Sequence, residues 1–131
     1  MKAHNYEARL THENPRPRGA PPLLAQKESE IERDIMQYLA LRHIPAFQTH
    51  GLHHIPGGGI RVIRPHRKGM LDICCTLPWS GRTCLIEVKT EEGVVSVEQE
   101  DVMREWHAAG ALVFVARSVQ EVADAIDGER R

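Results

Sequence analysis

Residues 69–89, GMLDICCTLPWSGRTCLIEVK, decide how this chain folds. Two apolar runs, at 70–77 and 83–90, lie on either side of the segment PWSGR at 78–82, whose proline, serine and glycine are typical of a turn. The stretch therefore predicts two core strands joined as a hairpin.

Three charged residues interrupt these apolar runs. Asp72 lies in the first run, and Glu87 and Lys89 lie two residues apart in the second. Because side chains alternate between the faces of a strand, Glu87 and Lys89 point the same way, and pairing of the two strands would bring Asp72 beside them. Two carboxylates and one ammonium suit metal-assisted cleavage of a phosphodiester: the acids hold a hard divalent cation, and the lysine orients or deprotonates a water. The alternative is a pair of surface carboxylates with a lysine partner.

The rest of the chain alternates between helical and strand patterns. The predicted elements are a helix at 27–42, short strands at 46–50 and 60–64 with a loop at 51–59 between them, the two core strands, a helix from the Ser96 cap to 109, a buried strand at 111–116 and a helix from the Ser118 cap to 126. In the first helix, Glu28 and Glu32 are predicted on the surface, away from the apolar residues. A strand-helix-strand path after Glu87 implies a right-handed crossover and a parallel pair, so we predict one α/β domain with a mixed sheet flanked by helices.

Composition sets further bounds on function. The 131 residues are 41% hydrophobic and 27% charged with a net charge of -1, so any nucleic-acid binding must come from local clustering of charge. No apolar run is long enough to span a membrane, and the N-terminus lacks the pattern of a secretory signal. Three cysteines, two of them adjacent, predict reduced thiols in a cytoplasmic protein. Residues 1–26 are predicted to form a flexible arm and 128–131 a tail, on either side of a domain at 27–127.

The order of these motifs resembles a known family. The chain has an acidic helix start at Glu28, then Gly69-x-x-Asp72, then Ile86-Glu87-Val88-Lys89, then Gly93, Ser96 and Gln99, and finally the segment AAGALVFVARS at 108–118. This pattern resembles the virus-type replication-repair nuclease (VRR-NUC) domain of the PD-(D/E)xK nuclease superfamily, in its stand-alone phage form, over residues 28 to 127. The family often has proline before the aspartate, where this chain has Leu71.

The resemblance implies a restriction-endonuclease-like core and a site that uses Mg²⁺ or Mn²⁺. It implies Asp72, Glu87 and the backbone carbonyl of Val88 as metal ligands, and Lys89 as the catalytic lysine. It further implies an acid from the first helix and a glutamine from the second long helix. Glu28 is preferred for the first role, with Glu32 as the alternative. Gln99 is assigned to the second, although it also fits a capping box with Ser96, and the two roles are expected to compete.

A basic stretch leads into Asp72. It contains Arg61, Arg64, Arg67 and Lys68, which are predicted to contact DNA phosphates, the alternative being a solvated loop. A zinc site built from His50 and the nearby histidines is not predicted, because the segment lacks a second ligand pair at the usual spacing.

Together these observations predict a structure-selective DNA endonuclease. Stand-alone domains of the family resemble Holliday-junction resolvases, which implies branched DNA as the partner and a phage or prophage origin in a bacterial host. Because a four-way junction needs two symmetric nicks and one chain carries one site, a C2 homodimer is expected. The alternatives are a flap or end nuclease within a replication, repair or packaging complex, and a nucleic-acid-binding module without turnover.

Overall fold

The computed structural model describes residues 27–65 and 67–130. Its elements, in chain order, are α1 (Glu28–Leu41), β1 (Ala46–Gln48), β2 (Gly51–His54), β3 (Ile60–Ile63), β4 (Ile73–Thr76), β5 (Thr83–Val88), α2 (Val97–Ala108), β6 (Leu112–Ala116) and α3 (Val119–Glu129). Among the described residues, no helix has the length and apolar character needed to cross a membrane.

A mixed four-stranded sheet forms the centre of the fold, in the order β1-β4-β5-β6. The pairs β1–β4 and β4–β5 are antiparallel, whereas β5 and β6, which are joined through α2, are parallel. Three helices flank the sheet. The predicted α/β class with a mixed sheet is confirmed, and the arrangement is compatible with a restriction-endonuclease-like core.

The two faces of the sheet bury different helices. Alternate strand residues such as Ile86 and Phe114 pack with α1 and α3, through Ile35 and Ile126 among others. The intervening residues, including Leu85, pack with α2. Strands buried on both faces read as continuous apolar runs, which is the pattern of β5 and β6. The sheet therefore buries β5 between two helical layers.

Local signals in the sequence locate most of the element ends. The predicted core hairpin is confirmed, and its turn is closed by the N–H of Gly81, which donates to the Leu77 carbonyl at 2.8 Å. Ser96 caps α2 in a capping box, and the Ser118 hydroxyl accepts from the Glu121 N–H at the start of α3. All three cysteines are free, as predicted.

Several predictions of element bounds and of exposure are wrong. The segment 51–54, predicted as part of a loop, is strand β2, because it pairs with β3 in a separate two-stranded sheet. Asp72 lies on a bend before β4 rather than inside a strand. Glu32, predicted on the surface of α1, is only 7% exposed. The last helix continues to Glu129, three residues beyond its predicted end. The predicted arm at 1–26 lies outside the described residues.

Candidate functional site

Asp72 and Glu87 meet at one end of the core hairpin. In the register of β4 and β5, Ile73 pairs with Ile86, so the residue before β4 lies opposite Glu87. The backbone N–H of Val88 donates to Asp72 Oδ2 at 2.8 Å and fixes this carboxylate against β5. The convergence of the two acids that strand alternation predicts is therefore present.

Glu87 is a buried acid with one oxygen that lacks a protein partner. The residue is 1% exposed, and its Oε1 accepts from Gln99 Nε2 at 2.9 Å and lies 3.5 Å from Lys89 Nζ. Its Oε2 is buried and has no hydrogen-bond partner among the described residues. Burial first, and then the neighbouring Asp72 carboxylate, raise the pKa of Glu87 to about 9, against the lowering effect of Lys89. Lys89 is the one countercharge beside the two carboxylates of Glu87 and Asp72, so the pair is short of positive charge.

Gln99 fills both of the roles that are predicted to compete. Its Oε1 accepts from the Ser96 N–H at 2.9 Å, and its own backbone N–H donates to the Ser96 hydroxyl at 3.1 Å, which completes the capping box. The Nε2 of the same side chain donates to Glu87. The amide has an acceptor at one atom and a donor at the other, so the helix cap orients the donor towards the buried acid.

On the other side of Asp72 lie Glu32 and His50. His50 Nε2 is 2.5 Å from Asp72 Oδ1 and 3.7 Å from Glu32 Oε1. Burial and then the Asp72 carboxylate raise the pKa of Glu32. Of the two candidate acids in α1, the structure thus brings Glu32, and not the preferred Glu28, next to Asp72.

Glu32 is predicted only as the alternative helix acid, and no motif assigns His50 to the site. Glu32 lies three residues before Ile35 and seven before Leu39. This helical spacing places it on the same buried face of α1 as these two residues. His50 is one of several neighbouring histidines whose spacing does not suit a zinc site. It reaches Asp72 because β1 pairs with β4, and the Thr49 N–H donates to the Asp72 carbonyl at 2.9 Å.

Glu28 lies near Lys89 instead. A methyl group added at Gly93 would lie 3.1 Å from Lys89 Cδ and 3.3 Å from Glu28 Oε1, so the glycine permits this close approach. Arg117 holds the loop that contains Gly93, because its guanidinium donates to the carbonyls of Thr90, Glu91 and Gly93. No motif in the sequence predicts this role of Arg117, which positions the segment after Lys89.

The four basic residues separate into two pairs. Arg67 forms an ion pair with Glu105, and Lys68 Nζ lies 3.2 Å from Glu98 Oε1, so acids of α2 partly neutralise both. Arg61 and Arg64 are exposed and form no ion pair within the described part of the chain. The stretch between them and Asp72 is anchored at Gly69, which has a φ of 87° and leaves no room for a Cβ against the backbone of Glu98. Within the described ranges, Arg61 and Arg64 are therefore the two of these four residues whose charge is not paired.

The acids fit a divalent cation. Hard cations take carboxylate and carbonyl oxygens, and Mg²⁺ keeps several waters, so few protein ligands suffice. The buried Oε2 of Glu87 is an oxygen that a cation would satisfy. Burial first, and then the nearby Asp72 carboxylate, raise the pKa of Glu87, and a bound cation would offset both effects. Asp72 and Glu87 are the residues suited to hold such an ion, and the Val88 carbonyl stays a predicted third ligand.

Comparisons with known proteins do not identify the chain. No family model matches it, and neither a curated protein nor a solved structure does so. The function must therefore be inferred from the geometry of its own residues.

Proposed function

We propose that this chain is a metal-dependent DNA endonuclease that selects branched structures, of the virus-type replication-repair nuclease type that its sequence resembles. The observation that carries the proposal is the meeting of Asp72, Glu87 and Lys89 at one end of the core hairpin, where Oε2 of Glu87 is buried and lacks a partner among the described residues. Carboxylates able to hold a hard cation, beside an ammonium, are suited to phosphodiester hydrolysis.

The residues divide the chemistry between them. When bound by Asp72, Glu87 and the Val88 carbonyl, Mg²⁺ or Mn²⁺ supplies Lewis-acid polarisation of the scissile phosphate. Lys89, whose side chain is 13% exposed, orients the attacking water and acts either as its base or as the cation that stabilises charge on the phosphorane. Attack in line leaves a 5′-phosphate, as the superfamily resemblance implies. Gln99 keeps the Glu87 carboxylate in place.

Charge on the β2–β3 hairpin and on the residue that follows it supports DNA as the substrate. Arg61 and Arg64 are exposed, and the chain passes from them directly to Asp72. Contacts between such arginines and phosphates give affinity that depends on salt and carries little information about base sequence. A preference for branches would then come from the shape of the DNA.

A four-way junction requires two symmetric cuts, and each chain supplies one site. The proposal therefore includes a C2 homodimer, in which the two sites are related by the same axis as the two scissile phosphates. A cytoplasmic location, in a bacterial host that carries a phage or prophage, is part of the same proposal.

The direct test is cleavage of a labelled four-way junction, a flap and a linear duplex with Mn²⁺ present. Wild type and Glu87→Gln are assayed side by side, because glutamine keeps the shape of the side chain and removes its charge. Paired symmetric nicks in the junction, lost in the variant, are the expected result.

The other outcomes separate the alternatives. Faster cutting of the flap or the linear duplex would keep the nuclease and replace junction resolution by flap or end processing. Absence of cutting from every substrate, with DNA binding retained, would overturn the nuclease and leave a binding module. Equal activity in Glu87→Gln would place the chemistry away from this acid.

A further inference from the structure

The side chains of Glu32, His50 and Asp72 form a compact cluster of possible ligands. One ligand atom from each lies within 4.8 Å of the other two. Ligands around a cation with bonds of about 2.1 Å are separated by about 3 Å when adjacent and about 4 Å when opposite. The spacing therefore allows all three atoms to reach one ion after small side-chain rotations.

A second observation points to a ligand at this cluster. The Glu32 side chain is 9% exposed, and its Oε1 is buried with no hydrogen-bond partner among the described residues. This oxygen faces His50, with 3.7 Å between Oε1 and the imidazole Nε2. The Glu32 carboxyl group has a side-chain hydrogen bond with Gln48, but within the described ranges no donor meets its Oε1. A buried acceptor of this kind needs a donor or a cation.

The two carboxylate oxygens of Asp72 face different neighbours. Its Oδ2 faces the N–H of Val88 on β5, and its Oδ1 faces His50. The two oxygens of one carboxylate can bridge a pair of cations, an arrangement found in phosphodiester-cleaving sites with ions about 3.5–4 Å apart.

The donor set differs from the one that Asp72 and Glu87 provide with the Val88 carbonyl. Carboxylate and carbonyl oxygens suit Mg²⁺, whereas an imidazole nitrogen suits first-row transition metals. We propose that Glu32, His50 and Asp72 form a second cation site, in which His50 Nε2 is a direct ligand, and which takes a transition-metal dication such as Mn²⁺ in preference to Mg²⁺.

The site does not require that the protein cut DNA. Only its consequence rests on the proposed function: a nuclease with this site would have a metal preference set by His50. The competing explanation is that His50 is a protonated counterion for the two acids, in which case no metal-nitrogen bond forms.

The test is pulsed electron paramagnetic resonance of the full chain loaded with Mn²⁺ in the absence of DNA. An imidazole bound directly to Mn²⁺ gives a ¹⁴N coupling, which is expected in the wild type and absent in His50→Gln. The matched control is His43→Asn, because His43 has a φ of 55° that asparagine tolerates and lies outside the cluster. This control should retain the coupling. A wild type without ¹⁴N coupling, or a coupling that persists in His50→Gln, would overturn the proposal.

Affinity gives a second measurement, in which Glu32→Gln tests the site independently of how well His50→Gln folds. Calorimetric titration with Mn²⁺ and with Mg²⁺ should show that Glu32→Gln and His50→Gln each weaken Mn²⁺ binding by about tenfold or more, with a smaller effect on Mg²⁺. Equal losses for the two metals in both variants would contradict a nitrogen-bearing site.

The outcome is separable from that of the proposed function. Glu87→Gln should lose cleavage and keep the ¹⁴N coupling, because Glu87 is outside the cluster. Coupling in a wild type that cuts no DNA would support the metal site and refute the nuclease. Cleavage without coupling would do the reverse.

Discussion

The described part of the chain contains two β-hairpins in opposite environments. In the β4–β5 hairpin, Ile73, Leu85 and Ile86 are 0% exposed. In the β2–β3 hairpin, Ile60 and Val62 are 57% and 52% exposed. The first is flanked by β1 and β6 and covered by helices on both faces, whereas the strands of the second pair only with each other in the part of the chain that the structure describes.

The difference separates two tasks. The buried hairpin can hold acids at fixed positions and raise the pKa of Glu87, because neighbouring layers exclude water. The exposed hairpin spans residues 51–63 and is called the β2–β3 arm. All four residues of its strand β3 are exposed, and an isolated two-stranded hairpin is only marginally stable in water. Exposed apolar side chains beside cations are suited to contact a partner. We expect chemistry to depend on the first hairpin and affinity on the second.

The largest expected effect is on turnover. Lys89→Ala should lower the single-turnover cleavage rate by about 10³-fold, since the site loses the group that orients water and stabilises charge. The rate is measured with enzyme in excess over the junction. Val62→Ala, in the β2–β3 arm, is the comparison variant and should cleave at close to the wild-type rate once the DNA is saturated.

Binding measurements isolate the cause of that lower rate. Lys89→Ala should bind Mn²⁺ and junction DNA about as tightly as wild type. A near-normal rate in Lys89→Ala would exclude a catalytic lysine.

The next effect is on stability. Ile86→Ala should lower the free energy of unfolding by about 4 kcal/mol, because it leaves a cavity at the centre of the sheet. Val62→Ala should change it by less than about 0.5 kcal/mol, because the side chain is exposed. Urea denaturation of both variants measures the difference. Equal decreases would mean that the β2–β3 arm packs against the body of the protein and would remove the contrast between the hairpins.

A smaller gain in stability is expected from Glu87→Gln in metal-free protein. The folded-state pKa of Glu87, about 9, is above its ordinary value of 4.5, so between these values the folded state binds more protons than the unfolded state. The free energy of unfolding therefore decreases as pH rises through this window. At pH 7, the unfavourable contribution of Glu87 to folding is up to about 3 kcal/mol.

Glutamine removes that contribution, so the variant should unfold at a higher temperature at pH 7 and show a weaker dependence on pH. Some dependence should remain, because the pKa of Glu32 is also raised. Thermal unfolding between about pH 5 and pH 9 with a chelator present measures both. A variant less stable than wild type at pH 7 would show that Glu87 is stabilised by its protein partners alone.

The smallest effect is on DNA affinity. The double variant Arg61→Gln/Arg64→Gln should reduce the slope of log affinity against log salt by about 2, because each phosphate that a cation neutralises adds about 0.9 to that slope. Arg67→Gln/Lys68→Gln is the matched control with the same change of charge, and its effect should be smaller because α2 acids already neutralise those side chains. A larger effect from the control pair would place the DNA along α2 instead of the β2–β3 arm.

Local patterns account for much of what could be predicted from the sequence. Alternation along β5 and the turn at 78–82 are sufficient to predict the core hairpin. That hairpin is in turn sufficient to predict that Asp72, Glu87 and Lys89 lie together. The cap signals at Ser96 and Ser118 are equally local and are confirmed.

What could not be predicted depends on contacts between distant parts of the chain. His50 reaches Asp72 only through the register of β1 against β4, which joins residues that are far apart in the sequence. Strand β2 escapes prediction because Gly51 and two histidines weaken its strand pattern. The double role of Gln99 requires that Glu87, on β5, lie beside the start of α2. No local pattern reveals this contact.

The base of the β2–β3 arm has a consequence for how such a protein can change. Gly51 pairs with Ile63, so the two ends of the β2–β3 arm are neighbours. Next to this pair, the Thr49 N–H donates to the Asp72 carbonyl, which joins the segment before the arm to the segment before β4. The entropy of closing a loop grows slowly with its length, by about 0.6 kcal/mol for each doubling. Residues 52–62 therefore form a segment that can be lengthened, shortened or given other charges at small cost. Under the proposed function, such changes would direct one unchanged acid cluster to DNA of another shape.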